Sequence, residues 1–124
     1  MKYNTFSWVE IPVTNMKRAI AFYEAVFDVK MKPMNFGGLE MAWFPSQGDA
    51  YGATGTLIKQ ESYIPSKEGP LVYFACEDLQ QELDRVSAAG GQIYQPKTQI
   101  SEDHGYMGVM IDSEGNRVAL NSRN

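Results

Sequence analysis

Apolar and polar residues alternate through the segment SWVEIPVT near the start of the chain, which predicts a β-strand with two unlike faces. Val9, Ile11 and Val13 share one face, and Trp8 and Glu10 share the other. The first face is typical of a protein core. A carboxylate beside a tryptophan on the opposite face indicates a solvated surface residue, a metal ligand or part of a binding pocket.

The period of the apolar residues changes from two to about 3.6 directly after this strand. Apolar side chains at helical spacing predict a helix over residues 15–27, with Thr14 and Asn15 at its start. A second apolar run, LVYFAC, is followed by Asp78 as a helix cap and by helical spacing over residues 78–89. The order of strand and then helix thus occurs twice.

One offset relates the two occurrences. A shift of 63 positions carries apolar strand residues onto apolar strand residues and one helix cap onto the other: Val9 to Val72, Ile11 to Phe74 and Asn15 to Asp78. Because this offset preserves both the strand period and the helix period, we interpret the chain as two copies of a unit of about 62 residues, half of its 124.

Three short extended runs follow each predicted helix. They cover about 29–36, 39–44 and 53–59 in the first half and about 92–99, 106–112 and 117–122 in the second. We therefore predict an α+β fold of two βαβββ units related by a pseudo-twofold axis, with mixed sheets that curve around a cleft. The expected organisation is a single domain, residues 1–124, with unit one at about 1–60, a linker containing Ser, Pro and Gly at about 61–69, and unit two at about 70–124.

The predicted cleft is lined by the strand faces that the helices leave uncovered. A helix that packs back on its own sheet covers the face bearing Val9, so the opposite face is free. Trp8 and Glu10 lie on that free face, and the repeat offset places Leu71 and Tyr73 at the matching positions of unit two. All four side chains would point into a shared space, which is the natural place for a pocket.

Charge and cysteine content narrow the possible partners and the compartment. A net charge of −4 argues against nucleic acid and anionic membrane surfaces as partners, and suits neutral or cationic ligands or simple solubility. Cys76 is the only cysteine, so we expect a buried core thiol without an internal disulfide, in a reducing compartment. With no signal peptide and no apolar run of about 20 residues, the expected location is the cytoplasm.

The paired units resemble the vicinal oxygen chelate superfamily, which contains glyoxalase I, extradiol dioxygenases, fosfomycin-resistance enzymes and bleomycin-resistance proteins. The segments that carry the resemblance are TNMKRAIAFYEAVF, FACEDLQQELDRVSAAGG and IDSEGNRVAL. Nearly the whole chain is covered, and the family's fold is implied. As a single chain of two units, this protein resembles glyoxalase-related proteins that have no assigned reaction.

The resemblance also implies a divalent metal held by His, Glu or Gln side chains at inward-facing strand positions. In this chain Trp8, Leu71 and Ala119 occupy three of those positions, and Thr56 falls near the fourth. Tryptophan, leucine and alanine side chains provide no atom that binds a metal in proteins. Because the chain also has a single histidine, we expect no metal and no other cofactor.

Glu10 and His104 are the candidate catalytic residues. Glu10 lies two residues beyond the usual first ligand position, on the same strand face. We interpret it as a pocket carboxylate that accepts a hydrogen bond from Tyr73 or from a ligand, with a displaced metal ligand and a structural residue as the alternatives. His104 lies in a loop between carboxylates, either as a solvated residue or as an acid or base at the pocket rim.

Polar residues near the end of the chain complete the predicted pocket, because Arg117 and Asn121 share the strand face of Ala119. The full set of predicted pocket residues is Trp8, Glu10, Leu71, Tyr73, Arg117, Ala119 and Asn121. Residues on the middle strands are divided between the core and the pocket wall, namely Met41, Trp43 and Tyr106.

Two classes of function fit these residues. The first is a binding protein, a metal-free relative of the bleomycin-resistance type that holds a small neutral or cationic organic molecule in an aromatic cleft. The second is a metal-independent lyase or isomerase that uses Glu10 as acid or base, with His104 or Tyr73. A metal-dependent glyoxalase or dioxygenase conflicts with the residues at the ligand positions. Because family members usually pair and the sheet edges are open, a homodimer is expected.

Overall fold

The two halves of the chain fold as the same series of elements in the computed structural model, which describes Lys2 and residues 4–124. Unit one contains β1 (Trp8–Pro12), α1 (Met16–Phe27), β2 (Lys32–Phe36), β3 (Leu39–Trp43) and β4 (Thr54–Lys59). Unit two contains β5 (Val72–Ala75), α2 (Leu79–Ala89), β6 (Gln92–Ser101), β7 (Gly105–Ile111) and β8 (Arg117–Ser122). The predicted α+β fold and element order are confirmed. Met1 and Tyr3, which belong to the predicted unit one, lie outside the described residues.

Each unit forms its own four-stranded mixed sheet, in the order β1–β4–β3–β2 in unit one and β5–β8–β7–β6 in unit two. The first strand of each unit pairs in parallel with the last, and the other pairs are antiparallel. The predicted offset of 63 is kept in the parallel pairs, because Val9 faces Gly55 and Val72 faces Val118. β1 and β5 are therefore equivalent strands, and each forms an edge of its sheet.

The two units differ at the connection that leads into their last strand. Trp43 of β3 faces Thr56 of β4 with twelve residues between them, whereas Val109 of β7 faces Ala119 of β8 with nine residues between them. Counted between these paired positions, unit one has three more residues than unit two, and its connection, residues 44–53, forms no helix or strand.

Each helix covers one face of its sheet with an apolar stripe. The buried stripe comprises Ala19, Phe22, Tyr23 and Val26 in α1 and Leu79, Leu83 and Val86 in α2. Ile11 and Val13 join the same core, as expected for the face of β1 opposite Glu10. The helices also contact each other, so the two units share one core. With 12 and 11 residues, neither helix of the described chain is long and apolar enough to cross a membrane.

An aromatic cluster (Tyr23, Phe27, Phe44 and Phe74) joins the two units inside this core. Phe74 of β5 stacks on Phe27 of α1 with 4.4 Å between the ring centroids. Tyr23 of α1 packs edge-on against Phe44 at 5.4 Å and lies 5.7 Å from Phe74. Ring pairs of this kind contribute about 0.5–1.5 kcal/mol each beyond the burial of their surface, so the cluster helps to hold β5 against α1.

The turn between β7 and β8, residues 112–116, reaches from unit two to the N-terminus of α1, and we call it the anchor turn. The carboxylate of Glu114 accepts hydrogen bonds from the backbone N–H groups of Thr14 and Asn15, each at 2.9 Å, and from Nε of Arg18 at 2.7 Å. Burial by itself would raise the pKa of Glu114, but these hydrogen bonds lower that pKa to about 2. A carboxylate at this position also interacts favourably with the helix dipole.

A second carboxylate of the anchor turn is buried. Asp112 is 3% exposed, and its Oδ2 accepts hydrogen bonds from the hydroxyl of Tyr23 at 2.6 Å and from Nδ2 of Asn116 at 3.0 Å. The same Nδ2 donates to the carbonyl oxygen of Pro12 at 2.8 Å, and Ser66 donates its backbone N–H to Asn116 Oδ1 at 3.0 Å. Burial, followed by the charge of Asp112, raises the pKa of Tyr23 well above its usual value, so its hydroxyl remains a donor. The anchor turn thereby ties α1, β1 and the linker to unit two.

Replacing Glu114 with Gln should lower the free energy of unfolding by about 1–3 kcal/mol at pH 7, because the charge that holds three donors is removed. The folded-state pKa of about 2 lies below the ordinary value of 4.5, so the charged form stabilises the fold above pH 4.5, and this contribution is lost as the pH falls towards 2. Urea titrations of both proteins at pH 7 and at about pH 3 measure the two effects. Glu102→Gln, in an exposed turn, is the control, and identical unfolding curves for both variants at pH 7 would contradict the prediction.

Among the strands that the structure describes, β2 and β6 each have one side without a paired neighbour, and both carry exposed apolar side chains. Phe36 of β2 and Ile93 and Tyr94 of β6 are exposed in the single chain. We propose that a second copy of the chain covers such an edge in solution to give a homodimer. Light scattering at micromolar concentration should yield twice the mass of the chain, and the mass of one chain would contradict the proposal.

Candidate functional site

A cavity of about 720 Å³ lies between the first strands of the two units. β1 and β5 are edges of separate sheets and do not pair with each other. Successive residues of both segments line the cavity, residues 8–11 on one side and residues 70–75 on the other. The cavity is therefore the gap between two sheet edges, and its volume suits a small organic molecule.

Most of the residues predicted for the pocket lie together in this cavity, namely Trp8, Glu10, Leu71, Tyr73 and Asn121. Arg117 and Ala119 lie outside its lining, which corrects their predicted placement. Ala119 has no accessible surface, because it lies on a central strand between Tyr73 of β5 and Val109 of β7. Arg117 donates from Nη2 to the carbonyl oxygen of Gly69 at 2.9 Å, so the linker holds its guanidinium group.

His104 lies in the turn between β6 and β7 and does not line the cavity. Its Nδ1 is 3.0 Å from the hydroxyl oxygen of Ser101, and its backbone N–H donates to the same oxygen at 3.1 Å. These contacts are local, and the side chain is exposed. The structure therefore does not bring the two candidate catalytic residues, His104 and Glu10, into one site.

Cys76 is partly buried against the core, as expected, and it does not line the cavity. Burial, assisted by the charge of Glu82, raises the pKa of its thiol to about 12. The thiolate is the reactive form of cysteine, so this thiol is unsuited to act as a nucleophile at neutral pH.

Much of the remaining wall consists of residues that the sequence patterns did not single out. The connection between β3 and β4 contributes Phe44, Pro45 and residues 51–53, the start of β4 contributes Thr54 and Gly55, and Phe6 precedes β1. Tyr51 is 97% exposed in this connection. An aromatic residue within the polar, Gly-containing segment SQGDAYG is the signal that could have indicated it, because binding residues often lie on such loops.

Glu10 is the only charged side chain among the described residues that line the cavity. It is exposed, and no described residue donates a hydrogen bond to its carboxylate, so the bond expected from Tyr73 is not formed. Tyr73 is itself 50% exposed. Both polar groups are therefore available to a bound molecule.

Two tryptophan rings cover a threonine on the same sheet face. Glu10 of β1, Thr56 of β4 and Trp43 of β3 lie opposite one another in adjacent strands. The rings of Trp8 and Trp43 meet edge to face, with 5.1 Å between centroids and 70° between planes. Because β1 and β3 flank β4, the rings meet on the side of β4 that bears Thr56, which is 0% exposed. Oγ1 of Thr56 and Nε1 of Trp43 are buried without a hydrogen-bond partner among the described residues.

The side chains at the family's metal positions do not fit a divalent metal. Such a metal needs several nitrogen, oxygen or sulfur ligands that converge on one point. Trp8, Leu71 and Ala119 provide none, and the hydroxyl of Thr56 is buried. Within Lys2 and residues 4–124, no group of three or more His, Cys, Asp or Glu side chains is arranged to hold a metal ion.

Comparison with known proteins places this chain in a family. The model of the Glyoxalase/Bleomycin resistance protein/Dioxygenase superfamily matches residues 5–120. A glyoxylase-like domain-containing protein from Didymella fabae is 28% identical over 124 residues, which cover 98% of this chain and 95% of that protein.

Solved structures agree on the fold. A glyoxalase/bleomycin resistance protein from Albidiferax ferrireducens superposes with a TM-score of 0.69 at 18% identity, covering 98% of this chain and 100% of that one. Glyoxalase I from Zea mays also gives a TM-score of 0.69, at 17% identity over 94% of this chain, and the match spans 45% of the maize chain. The chain therefore belongs to the glyoxalase/bleomycin resistance protein/dioxygenase superfamily.

Proposed function

We propose that this protein binds a small aromatic molecule, neutral or cationic, in the cavity between β1 and β5, and that it does so without a metal. The observation that carries the proposal is the composition of the cavity wall, in which exposed aromatic rings surround a single carboxylate. No Lys, Arg or His side chain occurs among the described residues of that wall.

The aromatic part of the wall supports recognition of a flat ligand. Four lining rings are exposed in the single chain, those of Phe6, Trp8, Tyr51 and Tyr73. Large apolar side chains that share one concave surface mark a binding site, because soluble proteins rarely expose such patches without a partner. A flat ligand would remove these rings from water and add about 0.5–1.5 kcal/mol for each stacked pair.

Glu10 supports discrimination by charge. No described residue donates a hydrogen bond to its carboxylate, so its negative charge acts on whatever enters the cavity. An anionic ligand would be repelled, whereas a cationic ring could lie over Trp8 or Tyr73 beside Glu10. The net charge of −4 for the chain acts in the same direction.

The same wall supports binding rather than acid–base catalysis. A lyase or isomerase usually places a second group beside its base, to donate a proton or to stabilise the charge that develops. His104 and Cys76 lie outside the lining, and Tyr51 and Tyr73 are the other titratable side chains among its described residues. The lack of ligand atoms at the family's metal positions supports a metal-free site in the same way.

Thioflavin T, a flat aromatic cation whose fluorescence rises when it is immobilised, is a suitable probe of this proposal. We expect the protein to bind it and Glu10→Gln to weaken binding about five- to tenfold, because the charge is lost and the shape is kept. The melting temperature should stay the same or rise, since Glu10 has no hydrogen-bond partner within the described residues. Fluorescence titrations and thermal melts measure the two quantities.

An anionic dye and a matched variant control this experiment. Anilinonaphthalene sulfonate should bind more weakly to the unmodified protein than to Glu10→Gln, because the carboxylate repels it. Glu61→Gln makes the same change of net charge at an exposed position outside the cavity and should leave both titrations unaltered. A clear loss of stability in Glu10→Gln with unchanged thioflavin T binding would assign Glu10 a structural role and overturn the proposal.

Protein purified without chelators should contain much less than one equivalent of zinc, nickel, manganese or iron, because three of the four family positions lack a ligand atom. Elemental analysis measures this directly. A stoichiometric metal that is lost in Glu10→Gln would contradict this prediction. It would make Glu10 a displaced metal ligand and reverse the metal-free assignment.

A further inference from the structure

Two buried polar atoms next to the cavity have no hydrogen-bond partner within Lys2 and residues 4–124, and we call them the orphan pair: Oγ1 of Thr56 and Nε1 of Trp43. Leaving a buried polar group without a hydrogen bond costs free energy, and native proteins seldom do so. The pair lies directly behind the cavity wall. Thr56 is opposite Glu10 in the sheet, and the ring of Trp43 contacts the ring of Trp8.

Trp8 links the orphan pair to the cavity, because it lines the cavity and its ring contacts the ring of Trp43. The two rings meet on the side of β4 that bears Thr56. Trp8 is itself 38% exposed, so its ring can turn towards the open cavity. Rotations of exposed side chains take picoseconds to nanoseconds. One such rotation would bring the orphan pair into reach of a bound molecule.

Trp43, Thr56 and Glu10 form a row across three adjacent strands. The donors and acceptors of this row define the chemical group of a ligand that can bind to it. The indole N–H of Trp43 can only donate, the hydroxyl of Thr56 can donate, and the ionised carboxylate of Glu10 can only accept. Adjacent strands lie about 4.8 Å apart, so the row offers donors at β3 and β4 and an acceptor at β1. A planar carboxamide matches this order, with its oxygen on the orphan pair and its N–H on Glu10.

We infer that the cavity recognises an aromatic molecule bearing a carboxamide, or a lactam edge of the same hydrogen-bonding pattern, through Trp43, Thr56 and Glu10. The inference rests on the function proposed above and narrows its ligand to this chemical class. A bound ligand of this class would also supply the hydrogen bonds that the orphan pair lacks in the free protein.

Two matched probes test the inference: the N-methylpyridinium cation, and the N-methylnicotinamide cation, which is the same ring with a carboxamide. Calorimetric titration of the whole chain should show about tenfold tighter binding of the nicotinamide cation, as expected for one or two added hydrogen bonds. Thr56→Val and Trp43→Phe remove the polar atom and keep an apolar side chain. Each should reduce that preference about threefold or more.

Thermal stability separates a binding role of Thr56 from a structural one. Thr56→Val should raise the melting temperature by about 3 °C, because an unsatisfied buried hydroxyl is removed. Ser122→Ala is the matched control, since Ser122 is a buried hydroxyl with partners. Its Oγ accepts from the backbone N–H of Leu79 at 3.1 Å and donates to the backbone oxygen of Asn124 at 2.8 Å. Ser122→Ala should lower the melting temperature and keep the preference for the nicotinamide cation.

Three outcomes would overturn the inference of a carboxamide site and leave the proposed function standing. A fall in melting temperature for Thr56→Val as large as that for Ser122→Ala would show that the hydroxyl is structurally satisfied. A preference that survives both substitutions would assign the carboxamide to other residues. Equal binding of the two cations, or binding of neither, by protein that binds thioflavin T would remove the carboxamide subsite. Failure of all three probes to bind would overturn the proposed function as well.

Discussion

A carboxylate buried as deeply as that of Asp112 must be supplied with hydrogen-bond donors, and the way this chain supplies them sets the arrangement of its two halves. One donor is the hydroxyl of Tyr23 in α1, and another is the side-chain amide of Asn116, which also holds the carbonyl oxygen of Pro12. Two backbone N–H groups of the anchor turn bind the other carboxylate oxygen. Unit two thus holds both the helix of unit one and the edge strand that lines the cavity.

The aromatic composition of the cavity follows from the contacts that position β5, its second wall. Phe74 stacks on Phe27, which brings β5 to the side of β1 without any hydrogen bond between the two strands. Phe44 and Phe74 belong both to the aromatic cluster and to the cavity lining, so the cavity is continuous with the core. A site formed in this way is rich in aromatic rings and poor in charge, because the contacts that position it are themselves aromatic.

Periodicity predicted the fold because each period constrains many residues at once. The strand period determines which face of β1 joins the core, so the burial of Ile11 and the placement of Glu10 at the cavity followed from spacing, and the repeat offset extended this to Tyr73. Features that depend on one side-chain conformation or on the docking of the units were not accessible in this way. Arg117 shares the expected face, yet a linker carbonyl binds its guanidinium. In the sequence, Glu114 resembles an ordinary carboxylate in a turn. Its contact with α1 forms only when the two units pack together.

The longer connection of unit one gives equivalent parts of the two repeats different roles. In unit two the short connection is the anchor turn, on which the joint between the repeats depends. In unit one the longer connection is released from that task, and residues 46–53 form an irregular loop from which Tyr51 and its neighbours reach the cavity. A duplicated chain of this kind can change the length and composition of one copy while the other preserves the architecture. The wall of the cavity can therefore change its residues without any change in the joint that holds the two units together.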